Sequence, residues 1–387
     1  MNTNGKIRVL FIWHGAVEKN YRQLFYEMSK HGLEMIVITA KRWFETSKWQ
    51  TFETIELDKH YKIYPLRTIF TNHVRAFFYL NFIKIAWIIL KHKPDVVYLK
   101  QEPYSTAGFV ILLLTKILNP KSKILIESDE NIFKNHPIPF KFFEKLNLRL
   151  SDALVVIPTD AIEMYRSKGF GKEIYKTYYF IPEFRTDVEP LDVRSNAKLK
   201  VGFAGRISKP KGVDIIILAL SELKKRNIND IELFIVGYPE DNEYYQYIIK
   251  LAEEKDIKMT HLGSFGLDKM FAFYKTIDVL VLPSRTVPWW KEQFGRVLVE
   301  AMACGTPCVG SSSGEIPRVI NNPNLIFQED NFKELADILE KFYNKEYSKD
   351  KLLESLIQYS KNFTIEAVAK NKAEIVRKVY EQNKQYL

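Results

Sequence analysis

Cysteine is nearly absent: Cys304 and Cys308 are the only two in 387 residues. That excludes a disulfide-built scaffold, and two cysteines four apart make no metal site by themselves; both read as small buried hydrophobes. Long clean apolar runs are missing too. The two longest, Ala76 to Leu90 and Gly108 to Leu118, are interrupted by Asn81 and Lys84 and by Lys116, well short of the ~20 residues of a membrane-spanning helix. Arg8 lies inside the first apolar stretch and Gly15 ends it too soon for a secretory signal, so a cytoplasmic location is expected. Clustered metal ligands and Asp-x-Asp pairs are lacking. So are the aromatic strand, zinc spacing and helix-turn-helix pattern of nucleic-acid binders. Acid is in deficit, 47 residues against 57 Lys and Arg, for a net charge of +10. With nucleic acid set aside, such a surface suits anionic lipid or phosphorylated substrates; a generally lysine-rich surface is the plain alternative.

What is there is length for two domains and an ordinary globular composition, 46% hydrophobic and 27% charged. The pattern is the strand–helix alternation of an α/β protein. Ile7 to Trp13 suits a central parallel strand; His14-Gly15-Ala16 turns the chain, Glu18 to His31 is expected to be helical, and Glu34 to Thr39 is the next strand. A long apolar helix is expected within Leu66 to Lys91, then a strand at Pro94 to Leu99, a helix at Ser105 to Leu118 and a strand at Lys123 to Glu127. Ser128-Asp129-Glu130-Asn131 crowd the end of that strand, where open α/β sheets bind ligands; capping of a following helix by Ser128 or Asp129 competes with that reading. A helix at Pro139 to Leu150, a strand at Ala153 to Ile157, a helix from Thr159-Asp160 to Gly169 and a strand at Tyr175 to Ile181 complete a first domain, which the chain leaves through Pro182-Glu183-Phe184. Arg185 to Lys198 has linker composition. The alternation restarts with strands at Leu199 to Ala204, Ile231 to Val236 and Met259 to Leu262, and helices at Val213 to Arg226, Asn242 to Lys255 and Leu267 to Lys275. Helices are expected again at 331–344, 348–360 and about 365–385. No internal repeat is visible.

Pro283 to Ile320 organises the rest. A short buried strand, Val279 to Leu282, runs into a loop with Trp289 and Trp290, and Gln293-Phe294-Gly295 opens a helix at Arg296 to Ala303 that Cys304-Gly305 stops. Thr306 to Val309 is a further strand. Glu292 and Glu300 bracket the loop-to-helix junction. The helix start suits a phosphate, and a carboxylate one or two turns along can accept from vicinal ribose hydroxyls. Upstream, Gly205 to Gly212 is a loop whose cations are Arg206 and Lys211.

Glu292, Phe294, Gly295, Glu300, Ala301, Met302, Gly305, Pro307, Gly314 and Pro317, preceded by Gly205-Arg206 and Lys211-Gly212, resemble the two signature blocks of the retaining, nucleotide-sugar-dependent glycosyltransferases of family 4, the glycosyl transferases group 1. The resemblance implies the GT-B fold: α/β, two Rossmann-like doubly wound domains facing a central cleft. Here they would be 1–185, with a C-terminal helix at about 365–387 crossing back, and 186–364. It implies transfer of a sugar from a UDP- or GDP-sugar to a hydroxyl with retention of configuration, with no cofactor and no metal. Arg206 and Lys211 would neutralise the leaving diphosphate, Glu292 would orient the donor or stabilise charge, and Phe294 and Gly295 would offer backbone N–H groups to the distal phosphate. Glu300 would hold the ribose, and Gly237 and Leu262-Gly263 would flank the base. The first domain would supply Gly15 and His14, the latter a hydrogen-bond donor to donor or acceptor; as a general base it would imply inversion instead, and a structural histidine is the commoner outcome. Two glycines often stand where this chain has Gly15 alone, and a histidine often stands where it has Asp129 and Glu130.

Partners implied are the nucleotide-sugar donor and a glycan or lipid-linked sugar acceptor in surface polysaccharide or glycolipid synthesis, at the inner face of the cell membrane. Arg67, His73, Arg75, Lys84, Lys91, His92 and Lys93, interleaved with Phe77, Phe78, Trp87 and Ile88, are expected either to lie on an anionic membrane or to bury against the sheet. A nucleotide-sugar 2-epimerase on the same fold and a non-catalytic nucleotide-sugar-binding subunit are the competing functions.

Overall fold

A computed structural model describes residues 5–45, 48–71, 73–181, 187–347 and 349–382. The chain divides into two units, Met1–Pro182 with Ile365–Leu387, and Glu183–Thr364. The expected exit at Pro182-Glu183-Phe184 and the start of the linker lie outside the described residues, as does the end of the last helix beyond 382.

The first unit is built on a seven-stranded parallel sheet. Its order is Ile174–Lys176, Ala153–Val156, Lys123–Ser128, Val96–Lys100, Ile7–Ile12, Leu33–Ala40 and Lys62–Leu66. The central strands are mostly apolar because helices cover both faces, with charges such as Arg8, Lys100 and Glu127 towards their ends. On one face Ile85, Ile88, Ile89, Ile111, Leu112 and Leu148 come from helices Phe82–His92, Thr106–Leu118 and Phe140–Leu150. On the other, Leu24, Phe25 and Met28 of helix Gln23–Lys30 meet Val368, Ala369, Val376 and Val379 of the C-terminal helix Ile365–Glu381.

Several expectations for this unit are corrected. The helix expected from Glu18 starts only at Gln23, behind two 3-10 turns at His14–Val17 and Lys19–Tyr21. Residues 66–91 are not one long helix. Two short antiparallel strands, Thr68–Ile69 and Phe78–Tyr79, precede a helix of 11 residues. Phe77, Ile88 and His92 are buried, so the interleaved basic and aromatic residues do not share one outward face. Ser128 and Asp129 cap nothing, since the next helix begins at Phe140, and the strand expected to reach Ile181 spans only Ile174–Lys176.

The second unit has a six-stranded parallel sheet. Its order is Met259–His261, Ile231–Val236, Leu199–Ala204, Val279–Leu282, Cys308–Ser311 and Ile326–Phe327. The strand order reverses beside Leu199–Ala204, whose neighbours are Ile231–Val236 and Val279–Leu282. Carboxyl ends of strands at such a switch point are where open α/β sheets hold ligands. Cys304 and Cys308 are buried and free. Among the described residues no helix is long and apolar enough to cross a membrane.

Candidate functional site

Both signature blocks arrive at the switch point of the second sheet. Leu199–Ala204 delivers Gly205, Arg206 and, after a 3-10 turn, Lys211; Val279–Leu282 delivers the loop carrying Glu292. Gly205 and Gly237 end adjacent strands and nearly touch: a Cβ on Gly237 would collide with the Gly205 carbonyl. Gly237 donates its N–H to Gly263 at 2.9 Å, so glycines end three neighbouring strands side by side. Leu262, half-buried, donates to Ile235 at 2.9 Å, and His261 lies 2.8 Å from the Gly237 carbonyl.

Lys211 Nζ donates to Glu292 Oε2 at 2.6 Å, across 81 residues of sequence, and lies 4.6 Å from the centre of the Trp290 ring. Ser284 Oγ donates to the same carboxylate oxygen at 3.0 Å. Burial would push the Glu292 carboxyl up, but Lys211, then Ser284 and the charge of Arg206, hold it below the usual carboxylate range. The Glu292 backbone is fixed by Gly314, where any Cβ would collide with the Glu292 carbonyl, and by the Glu315 N–H, 3.1 Å from that carbonyl. Arg206 reaches outward and pairs with Glu240 at 2.5 Å; it is about two-fifths exposed, at 41%, and so is available to an arriving anion.

Gly295, at φ +81°, is the N-cap of helix Arg296–Ala303 and brings no capping side chain. The Phe294 ring is buried against Phe363, centroids 5.5 Å apart, which anchors the helix start. Glu300 is buried in that helix. Tyr274 donates to its Oε2 at 2.7 Å and Arg296 Nε stands 3.1 Å from Oε1. Beside the carboxylate, burial first pushes the Tyr274 phenol well above its ordinary range.

Sequence reasoning overlooked Arg285. Its guanidinium grips Asp214 through two bonds of 2.8 and 2.7 Å, donates to the Lys209 carbonyl at 2.9 Å and pairs with Asp330. Its backbone N–H donates to Pro210 at 2.7 Å. Arg285 therefore staples the 209–211 turn in place and positions Lys211. The only sequence signal was an arginine three residues past a strand end.

In the first unit His14 and Gly15 lie at the end of strand Ile7–Ile12, within a 3-10 turn. The His14 ring packs 4.1 Å from Trp43 and its Nδ1 lies 3.3 Å from Gln101 Nε2. Burial, with Lys100 nearby, pushes the imidazole down to about 3. A Cβ on Gly15 would meet the Trp13 indole at 2.6 Å, so this glycine makes room for a side chain of its own unit. At the ends of strands Val96–Lys100 and Lys123–Ser128 sits a second polar group that the sequence did not single out in full. Glu127 is shared by Lys100 and by Lys372 of the C-terminal helix, and the Tyr98 hydroxyl donates to it at 2.6 Å. Burial opposes the Glu127 carboxylate, but the two lysines hold it down at about 2. Asp129 accepts from Tyr179 at 2.6 Å, and Glu130 pairs with Lys134 at 2.7 Å. Glu102, unremarked in the sequence, accepts from Ser128 Oγ at 2.5 Å and from the Asp129 N–H at 2.9 Å; burial and then the Asp129 charge raise it to about 8.

The full chain overlays on solved glycosyltransferase structures. The glycosyltransferase from Rickettsia africae aligns with a TM-score of 0.70 at 18% identity, over 97% of this chain and 98% of that one. Anabaena HepE, solved in complex with UDP, aligns with a TM-score of 0.67 at 16% identity, over 96% and 100%. The architecture is thus GT-B, the class of these structural neighbours. Residues 191–363 match the family model described as glycosyl transferases group 1, and the second unit carries a domain of that family. Among curated relatives, a D-inositol 3-phosphate glycosyltransferase of Pseudarthrobacter chlorophenolicus is 30% identical over 169 residues, 43% of this chain and 39% of that protein. A lipopolysaccharide 1,2-N-acetylglucosaminetransferase of Salmonella typhimurium is 27% identical over 188 residues, 44% and 47%. The match thus spans less than half the length of either relative.

Proposed function

We propose that the chain is a retaining family 4 glycosyltransferase that moves a hexosyl group from a nucleotide-diphosphate sugar to a hydroxyl acceptor. The observation that carries the reading is the part-buried Lys211–Glu292 pair at the switch point of the second sheet. A lysine held there by a carboxylate is a preset phosphate partner, and Arg206 beside it is solvent-accessible and can grip two phosphate oxygens. As the bond from the anomeric carbon to the diphosphate oxygen breaks, negative charge grows on that oxygen, and both cations stabilise it without reorganising. The acceptor oxygen bonds to the anomeric carbon on the same face, and its proton passes to the departing diphosphate. Glu292 sits where a carboxylate can hold the donor and offset positive charge on the sugar. His14, pushed down to about 3, is a poor general base at neutral pH, which favours retention over an inverting route. Glu300 is assigned the ribose, and the glycine-ended strands at Gly237 and Leu262-Gly263 the base.

The donor is a UDP- or GDP-sugar; Anabaena HepE, a neighbour in fold, has been solved with UDP-glucose. Diphosphate neutralisation by Arg206 and Lys211 makes a metal and other cofactors unnecessary. The acceptor is a glycan or lipid-linked sugar in polysaccharide or glycolipid synthesis, met at the cytoplasmic face of the cell membrane.

The test combines a thermal-shift screen of UDP, GDP and their sugars, where a ligand at 100 times its Kd adds about 2.7 kcal/mol, with NMR of the product anomer and turnover in EDTA. A shift with a nucleotide sugar and retained configuration is expected. Donor consumption without an acceptor would mean a 2-epimerase. Binding without turnover would mean a non-catalytic subunit, and loss of activity in EDTA restored by a divalent cation would remove the metal-free assignment.

A further inference from the structure

Three neighbouring helices on one face of the first unit's sheet, Phe82–His92, Thr106–Leu118 and Phe140–Leu150, bury one side and leave the other apolar; a fourth helix on that face, Asp160–Ser167, carries Asp160 and Glu163. Outward on them stand Ile83, Leu90, Leu113, Ile117 and Phe142, with Ile138 in the loop just before the third, all exposed; Ile83 and Ile138 are each 86% exposed. The helices form one layer: Phe109 of the middle helix stacks on Phe143 at 4.3 Å and meets Phe142 at 6.2 Å, and the first helix packs on the second. Trp87 is half covered by cations, with Lys84 Nζ 3.9 Å and Lys91 Nζ 4.3 Å from its ring centre.

Charge on these three helices is mostly positive. Lys84, Lys91, Lys116, Lys141, Lys145 and Arg149 stand against one acid of their own, Glu144, which is buried and paired with Lys168 at 2.5 Å, and Lys116 reaches Asp152 beyond the third helix at 3.5 Å. Lys141, Lys145 and Arg149 recur every four residues along one stripe and rim a cavity of about 510 Å³ whose apolar walls include Phe133 and Leu148. The opposite side of the same sheet serves as an internal comparison. Helices Gln23–Lys30 and Ile365–Glu381 balance their cations with Glu27, Glu366, Glu374 and Glu381, and none of the exposed large hydrophobic residues lies on them.

We propose that this three-helix face docks on an anionic lipid bilayer, with its apolar residues at the acyl boundary, its lysines over headgroups and the cavity beside Arg149 receiving a headgroup phosphate. Exposed aliphatic side chains ringed by cations with almost no acid match an interfacial surface, whereas a protein partner of ordinary composition would find a layer short of complementary acids on this side. The proposal extends the lipid-linked-acceptor reading by naming the surface that brings the chain to such an acceptor. It is tested separately from that reading, because vesicle binding needs no turnover.

The experiment is flotation of the full chain with vesicles of pure phosphatidylcholine and of equal phosphatidylcholine and phosphatidylglycerol, at low and high salt. Binding to the anionic vesicles alone, weakened by salt, is expected. Each surface cation contributes about 5-fold to partition, so Lys141→Gln/Lys145→Gln/Arg149→Gln should lower it on the order of 100-fold. Ile83→Asp/Phe142→Asp should abolish it, while Lys370→Gln/Lys378→Gln on the opposite side leaves it within ~2-fold. Circular dichroism and the nucleotide thermal shift confirm that each variant is folded. No flotation at low salt would overturn the proposal, as would loss caused by the opposite-side variant but not by the three-helix variants. Were flotation absent yet a nucleotide sugar still turned over on a soluble acceptor, the docking face would fall and the transferase reading would stand.

Discussion

Lys211→Ala separates the structural from the chemical role of the part-buried pair. Removing the ammonium leaves the Glu292 carboxylate with the Ser284 hydroxyl at 3.0 Å as its remaining near donor of those described above. Truncating one partner of a buried pair costs about 3–5 kcal/mol. Both side chains keep slight solvent contact, 13% for Lys211 and 10% for Glu292, so the lower end, about 3 kcal/mol, applies. For a unit of this size that is roughly a 6–12 °C fall in the Tm of the nucleotide-stabilised transition. The pH dependence carries the stronger test. In the native protein Glu292 is held below its unfolded value, so its contribution is present above about pH 4.3 and lost as pH falls through the folded value. Without Lys211 the burial of the carboxylate meets less opposition and the folded value rises. The stability the charged group contributes above its unfolded value shrinks accordingly. The deficit of Lys211→Ala should therefore be largest near neutrality and shrink towards about pH 4–5, and adding Glu292→Gln should restore most of the loss. Calorimetry of the wild type, both single variants and the double variant across this range measures the coupling. A deficit independent of pH, or a double variant no better than Lys211→Ala, would refute the reasoning.

Glu292→Gln alone frees Lys211 for an incoming diphosphate, so UDP or GDP affinity should hold or rise in calorimetric titration while transfer falls at least 100-fold. Glu300→Ala removes the carboxylate to which the buried Tyr274 hydroxyl donates and should cost about 1–3 kcal/mol in stability as well as nucleotide affinity; Glu300→Gln keeps the fold and isolates the binding loss, read by urea melts beside titrations. Arg285→Lys should weaken nucleotide binding about 10-fold with little change in global stability, since a lysine cannot reproduce the two-pronged grip on Asp214; unaltered affinity would remove Arg285 from the positioning role. Glu102, raised to about 8, contributes stability below its unfolded value that is lost as pH rises through about 8, so Glu102→Gln should flatten the pH–Tm profile between those limits.

Much of the second unit was legible. Leu199–Ala204, Ile231–Val236 and Val279–Leu282 are apolar runs, interrupted only by Lys200 and Glu232 near the starts of the first two and closed by glycine or proline, and helix Arg296–Ala303 is bounded by Gly295 and Gly305; pattern and punctuation agree there. Residues 42–79 resisted because their strands are short and aromatic. Trp43 and Phe44 pair with Gln50 and Trp49 in a small hairpin with no long period to read. The apolar residues around Phe77 and Ile88 looked like one helix because both are buried, but they belong to different elements. In the site, the residue types were visible but their pairing was not. Nothing local joins Lys211 to Glu292, nor Arg285 to Asp214 across 71 residues. Those contacts exist only once parallel strands bring distant loops to one sheet edge.

The helix Ile365–Glu381 has a consequence for how the chain is made. It belongs to the first unit although the whole of Glu183–Thr364 intervenes in the sequence, and Lys372 supplies one of the two cations that hold buried Glu127. During synthesis from the N-terminus the second unit can therefore finish folding while the first still waits, with Phe25, Met28 and Val37 uncovered and a carboxylate half neutralised. A ribosome stalled before residue 365 releases a sticky, incomplete first unit attached to a complete second one. A fragment ending at 182 should be insoluble, and a circular permutant that splices residues 365–382 ahead of Ile7 through a short linker should let the first unit fold as soon as it emerges.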